Sequence, residues 1–434
     1  MKLSLHCGTN EIHFDLPMDC LVYKSNYENA TDSPSEMLFE SINSPVGSDP
    51  LNKLLPGRKE GNVVIVVSDI TRPIPYTGFL PQLVGVIEQQ GVARNEITIL
   101  VATGMHRAST HEEHLKMFGN HIVENYRIID HNCENDSELQ LLDGTSWSGS
   151  KVRLNKHYVQ AGFRIITGLV EPHFMAGFSG GRKAICPGIV ALETLKKFHG
   201  YTFLNHPNAA STIMKDNPCN DENSSIARMC PPDFSINVVL DNKKKVNTII
   251  SGELFLSHQK AVEYVKKACC PKVDTEADLV ITSSGGYPLD ATFYQCVKGI
   301  VNCLPTVKNE GEIIAIGGCI EGIGSPEFTD LIKGYSGNYA QFLEDIRYEK
   351  IYVKDQWQFQ MLNRALEKAG MHNLHFFTPN IPTDELSLLP FNPHSVSEVE
   401  LTKTIQEKIN EAIVLKKKIA FFPEGPYCSP TVNR

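Results

Sequence analysis

Three short β-branched runs, NVVIVVSD (62–69), EITILVATG (96–104) and FRIITGLVEPH (163–173), constrain this chain more than any other feature. Between the first two lies YTGFLPQLVGVIEQQG, whose apolar residues return with helical period. Runs that are apolar on both faces and alternate with helices predict parallel βαβ units, with the sheet covered on both sides. A second series repeats the pattern: ADLVITSSGG (277–286), GEIIAIGGCIEG (311–322), KIYVKD (350–355) and KIAFFPEG (418–425). The expected fold class is α/β, with two α/β domains built on largely parallel sheets. The boundary falls near CCPKVDTEAD (269–278), where the helical pattern HQKAVEYVKKACC gives way to proline and charge, so the domains read as 1–270 and 271–434. The Asn-, Pro- and Ser-rich stretch 205–235 reads as a long surface excursion of the first domain.

Composition narrows the function. With 434 residues, 41% of them hydrophobic, the chain can bury a large core. A net charge of -9, with basic residues scattered apart from KKK at 243–245 and 416–418, argues against a nucleic-acid groove. Anionic substrates would then need local cationic clusters. The N-terminus lacks the apolar core of a signal peptide and no apolar run is long enough to span a bilayer, so a cytoplasmic protein without membrane contact is expected. The 12 cysteines contain no CxxC pair and read as reduced, mostly buried thiols.

In open parallel sheets, ligands collect beyond the carboxyl ends of the strands. The first strand ends in Asp69-Ile70-Thr71-Arg72-Pro73, the second in Thr103-Gly104-Met105-His106-Arg107, and the third in Glu171-Pro172-His173 followed by FMAGFSGGRKAICPGI. Two histidines, an aspartate and two arginines would face one crevice. Glycines 177, 180 and 181 permit positive φ and close backbone approach to a ligand, phosphate included. No Walker A loop is present, and no GxGxxG follows a predicted strand. Lys183, beside Arg182, can be a phosphate partner, a Schiff-base nucleophile, another covalent attachment point, or a solvated lysine at a helix start.

VALETLKKFHGY predicts a helix that stops at Gly200 and leaves His199 in its last turn, either as a partner of the helix dipole or as a metal ligand or base. HRASTHEEHL (106–115) is not HExxH; Thr110 and Glu113 form a capping box there, which leaves His111 and His114 on a solvated helix face. In the second domain ITSSGGYPLDATFYQCVKG leads into a helix on which Tyr294 and Lys298, four apart, share a face with access to one small anion. Trp357 is read as either core or cleft wall.

Together, DxTRP (69–73), TGMHR (103–107), EPHFMAGFSGGRKAICPGI (171–189), FHG (198–200) and YQxxKG (294–299) resemble the nickel-pincer-nucleotide-dependent lactate racemase family, in order across both domains. The resemblance implies an active-site cleft between two α/β domains, the first binding the cofactor and the second adding substrate-binding residues. It implies a covalent thioamide between Lys183 and a nickel pincer nucleotide, with His199 as the protein ligand to nickel. His106 and His173 resemble the paired acid/base histidines. Arg72 resembles the residue that grips the substrate, helped by Tyr294, Gln295 and Lys298, while Asp69, Ile70, Thr71, Arg72, Gly180 and Trp357 lie along the cofactor. The implied activity is racemisation or epimerisation of a small anionic 2-hydroxy acid through a 2-keto acid, with cofactor supplied by separate maturation proteins. Met175, Tyr294 and Trp357 are candidates to meet the substrate's C3 side chain. The alternatives are a lysine Schiff-base enzyme and a non-catalytic nickel or cofactor-binding protein. The identity of the hydroxy acid and whether the chain forms a homo-oligomer stay open.

Overall fold

The computed structural model describes residues 1–30, 32–336 and 338–432. They divide into two compact units: one of Tyr27–His199 and Asn208–Lys266, the other of Met1–Asn26, Gly200–Pro207 and Lys267–Arg434. One break in this division falls after Lys266. The first 26 residues and the eight from Gly200 to Pro207 nevertheless group with the C-terminal part. No local signal announces this, because it depends on long-range pairing: Leu21–Val22 runs parallel to Ile419–Phe422.

In the first unit a six-stranded sheet runs, edge to edge, Val246–Gly252, Phe234–Leu240, Phe163–Leu169, Val63–Ser68, Ile97–Ala102 and Arg127–Asp130. Every neighbouring pair is parallel except the first, which is antiparallel. The central strands have almost no exposed face; in VVIVVS (Val63–Ser68) the first five residues are buried, as a sheet covered on both sides requires. Helix Leu80–Gln89 buries Leu80, Leu83, Val84 and Ile87, one stripe at helical spacing. Chain order reverses beside Val63–Ser68: the next two strands add on one side and Phe163–Leu169 adds on the other. That is the doubly wound order with its topological switch point, formed here without the glycine fingerprint of dinucleotide binding.

In the second unit the sheet runs Asn392–Ser395, Leu374–Thr378, Val307–Ile316, Ala277–Ser283, Ile419–Phe422 and Leu21–Val22, all parallel. The hairpin Lys2–Cys7/Asn10–Asp15 and the helix Glu398–Val414 cover one face, where Leu5, Ile12 and Phe14 meet Leu401, Ile405 and Ile409.

Two expectations about elements fail. KIYVKD (350–355) contains no strand. Its alternation arises because Tyr352 faces solvent while Ile351 and Val353 are half-buried, and the Val353 N–H donates to Gln356 Oε1 at 2.8 Å rather than to a neighbouring strand. The stretch 205–235 is no surface excursion either. It holds the helix Pro218–Met229, opened by Asn217, whose side chain accepts from the N–H groups of Cys219 and Asn220. Its polar residues are buried because they have internal partners: Glu222 accepts from Ser146 and Ser148, and Asn217 donates to the carbonyls of Met175 and Ile213.

None of the twelve cysteines forms a disulfide, and all but Cys270 are buried. Among the described residues no helix is long and apolar enough to cross a membrane.

Candidate functional site

At the switch point, the turn after Val63–Ser68 carries Asp69, Ile70, Thr71 and Arg72. Asp69 is buried, and its Oδ1 accepts from the Thr71 hydroxyl at 2.6 Å. Its Oδ2 lies 2.6 Å from His106 Nδ1, at the end of the adjacent strand. Burial pushes the Asp69 carboxyl up, but hydrogen bonding and charge from His106, the Thr71 hydroxyl and Arg72 outweigh it, and the net value falls below the usual carboxylate range. An ionised carboxylate only accepts, so His106 carries its proton on Nδ1 and leaves the Nε2 lone pair for a ligand. Ile70 packs against the apolar core, and Arg72 Nη1 donates to Glu171 Oε1 at 3.1 Å.

His173 pairs with Gly177 in a two-stranded ladder beyond Phe163–Leu169. Its Nδ1 accepts from the N–H groups of Met175 and Ala176, both at 3.3 Å. The neutral ring therefore bears its proton on Nε2, which points to Lys183 Nζ at 3.1 Å. Lys183 stands in the single turn Gly181–Ala184, its amine 5.8 Å from the Phe198 ring centroid. It is no solvated lysine: burial first, then the charges of Arg72 and Arg182, bring it from the ordinary 10.5 to about 7. His199 is the C-cap of helix Leu192–Phe198. Burial, followed by the charges of Lys183 and His106, lowers it to about 3, so its ring is neutral at physiological pH.

One unit thus gathers Asp69, Arg72, His106, His173, Lys183 and His199. Gly180 serves the loop's own packing: at φ 76° its missing Cβ would lie 2.6 Å from Val170 Cγ2. Gly177 is tighter still, with φ 76° and an added Cβ 2.4 Å from the Ile213 carbonyl oxygen. Gly177→Ala is expected to destabilise the protein by about 2–4 kcal/mol through backbone strain and overpacking, read as a lowered urea midpoint. An unchanged midpoint would mean that the loop is freer than its geometry indicates. Met175 is 2% exposed, buried beneath the loop rather than open to a substrate.

In the other unit, helix Phe293–Asn302 carries Tyr294, Gln295 and Lys298. The Trp357 indole N–H donates to the Tyr294 hydroxyl at 3.1 Å, and Trp357 itself is buried. Gln295 Oε1 is buried and, among the described residues, lacks a hydrogen-bond partner, as suits an acceptor awaiting a donor. Lys298 lies one turn further along, half-buried.

Of the decoy histidines, His111 is exposed as expected. His114 is not: its Nε2 lies 2.8 Å from Asp130 Oδ2 and its side chain is 15% exposed. The capping box of Thr110 and Glu113 is formed. Sequence reasoning gave no role to Glu171, although an acid two positions before a strand-end histidine is a visible signal. It also missed His258 and Asn223, which sit in helices and reach Arg182 only through the fold.

The family profile for the lactate racemase N-terminal domain matches residues 7–212, and that for the lactate racemase C-terminal domain matches residues 273–420. The chain belongs to the lactate racemase family. It is 34% identical to the lactate racemase of Thermoanaerobacterium thermosaccharolyticum over 371 residues, which cover 84% of this chain and 86% of that one. It is likewise 34% identical to the lactate racemase of Lactiplantibacillus plantarum over 400 residues, 91% of this chain and 90% of the relative. The solved structure of the T. thermosaccharolyticum lactate racemase apoprotein superposes with a TM-score of 0.88 at 30% identity, covering 100% of both chains. The chain is accordingly an isomerase on an α/β fold with largely parallel sheets.

Proposed function

We propose that this lactate racemase family member interconverts the C2 configurations of a small anionic 2-hydroxy acid, with a nickel pincer nucleotide tethered at Lys183. The observation that carries the reading is the convergence of Lys183, His173, His199 and the Asp69–His106 pair at the switch point of the N-terminal sheet. The donor chemistry fits such a group. A lysine amine at about 7 is substantially uncharged at neutral pH and able to form a thioamide. An imidazole held neutral offers its lone pair to nickel.

Removal of the C2–H as a proton is beyond a histidine, because a 2-hydroxy carboxylate carbanion is too unstable. The bound cofactor would supply a hydride acceptor and donor, so that C2 passes through a planar 2-keto acid. His106, with Nδ1–H held by Asp69, takes the hydroxyl proton on Nε2. His173 would serve the opposite side once tethering takes the Lys183 amine away from its Nε2 and the ring gives up its two 3.3 Å N–H contacts, so that the proton moves to Nδ1 and Nε2 becomes the base. Arg72, oriented by Glu171, holds the carboxylate, and by family resemblance Gln295, Lys298 and Tyr294 share in substrate binding and Trp357 contacts the cofactor. Maturation proteins supply the cofactor.

Racemising a C2-deuterated substrate in ordinary water should leave deuterium at C2; its wholesale exchange for solvent hydrogen would exclude hydride transfer. The lowered Lys183 value also suits a Schiff-base enzyme. Intact mass separates the two, since a nucleotide-sized adduct containing sulfur and nickel supports the tether, whereas trapping by borohydride without metal supports the imine. A folded, loaded protein that racemises no 2-hydroxy acid would be a binding protein instead.

A further inference from the structure

Lys183 and Arg182 are adjacent in sequence, and their side chains have different fates. Arg182 is 1% exposed, first among the large fully buried side chains of the described residues. All of its acceptors are neutral. Nε donates to Asn223 Oδ1 at 3.0 Å, and Nη2 to the carbonyls of Ala176 and Phe178, both at 3.3 Å. Nη1 lies against the His258 ring, 3.1 Å from Nε2 and 3.4 Å from Nδ1. The tautomer of that ring follows from its other contact. His258 Nε2 is 2.8 Å from the Ser179 carbonyl, which can only accept, so Nε2 carries the proton, and Nη1, nearly equidistant from both ring nitrogens, lies over the face of the neutral ring.

A buried charge without a counter-charge is costly and persists only where the surroundings hold it. What Arg182 and His258 together hold is the loop. The lysine-bearing turn is four residues long, has no side-chain cap, and opens on two glycines with positive φ, 76° at Gly180, which caps it, and 50° at Gly181, its first residue. Such a segment does not keep its shape unaided. Arg182 closes residues 176–182 on themselves through two carbonyls and ties them to helix Pro218–Met229 through Asn223. His258, from helix Leu254–Cys269, bonds Ser179 and lies so close to Gly181 that a Cβ there would meet the ring at 2.8 Å.

We propose that Arg182 and His258 form a buried lock that positions Lys183 for attachment of its cofactor. Both are positioning residues rather than catalytic ones, since neither reaches the Lys183 amine. The inference rests on Lys183 being the attachment point, but its test does not need the cofactor. In the unloaded protein, Lys183 is labelled with an acetylating reagent over a pH series, and the plateau rate reached where the amine is uncharged is followed by peptide mass spectrometry. Arg182→Met and His258→Leu, each checked for folding by circular dichroism, should change that rate at least about tenfold, since correct placement governs the reactivity of a buried group. His258→Gln keeps a donor for Ser179 and a neutral polar group beside Arg182, and should stay near the wild-type rate. Folded Arg182→Met and His258→Leu proteins that label like wild type would overturn the proposal. Should either variant fail to fold, hydrogen exchange on the wild-type unloaded protein decides. The amides of residues 178–183 should be protected to the level of the adjacent sheet, and exchange as fast as an open loop would overturn the lock. A protein that passes both tests and yet receives no adduct at Lys183 would refute the tether and leave the lock standing.

Discussion

Lys183→Ala protein, produced with the maturation proteins, should carry no covalent adduct and lose racemase activity by about four orders of magnitude or more, the scale of forfeiting a covalently held reacting partner. The fold should survive, because the side chain removed is a destabilised amine: burial and two neighbouring guanidinium groups oppose its charge. Lys183→Arg should be as inactive, since a guanidinium cannot form the thioamide. The pH dependence gives a separate signature. A lysine brought from 10.5 to about 7 is charged below that value and mostly uncharged above it. Its acetylation in the unloaded protein should therefore climb as pH rises to about 7 and then level off, whereas ordinary surface lysines keep gaining reactivity towards about 10.4. Those lysines are internal controls within one digest. A Lys183 profile that matched theirs would mean that the amine is solvated, and full activity in the alanine variant would place the tether elsewhere.

How much of this was legible in the sequence depends on whether the causes are local. The strands at 63–68, 97–102 and 163–169 announce themselves because a strand buried on both faces must be apolar at nearly every position. The site residues at their ends follow from the same rule, since polar residues just beyond such strands converge wherever the sheet is parallel. What the sequence conceals is set by partners distant along the chain. Phe234–Leu240 and Val246–Gly252 complete the sheet, yet the polar tract before them masks the approach, because Asn217, Glu222 and Asn223 look solvent-facing until their internal partners are known. Arg182 is legible in the sequence only as a cationic neighbour of Lys183, and its place in the core depends on partners far along the chain. His258, 76 residues further along, sits in HQKAVEYV, a stretch with nothing to mark it as part of the lysine loop. The resemblance to the family supplied roles for the strand-end residues but not these supports.

Asp69→Asn tests the division of labour between the two histidines. An amide in place of the carboxylate presents its N–H₂ group or its oxygen to His106 Nδ1, and either way the charge that stabilises a protonated ring is lost. When the amide nitrogen faces Nδ1, the proton shifts to Nε2 and the base is gone. Both outcomes slow transfer at His106, so racemisation should fall by about 10²–10⁴-fold, the usual contribution of a positioned acid/base group. The loss must appear in kcat/KM for both enantiomers equally. Enantiomers have the same free energy, so the equilibrium constant is one, and the two kcat/KM values cannot diverge whichever histidine is damaged. A single turnover escapes this constraint. Holo-protein mixed with one enantiomer at a time should form 2-keto acid slowly in Asp69→Asn only from the enantiomer whose hydroxyl faces His106, while His173→Ala should show the opposite preference. Equal slowing of both enantiomers in one variant, with the other variant unaffected, would mean that one histidine serves both faces. The contacts that orient the other ring would then reflect loop packing rather than chemistry.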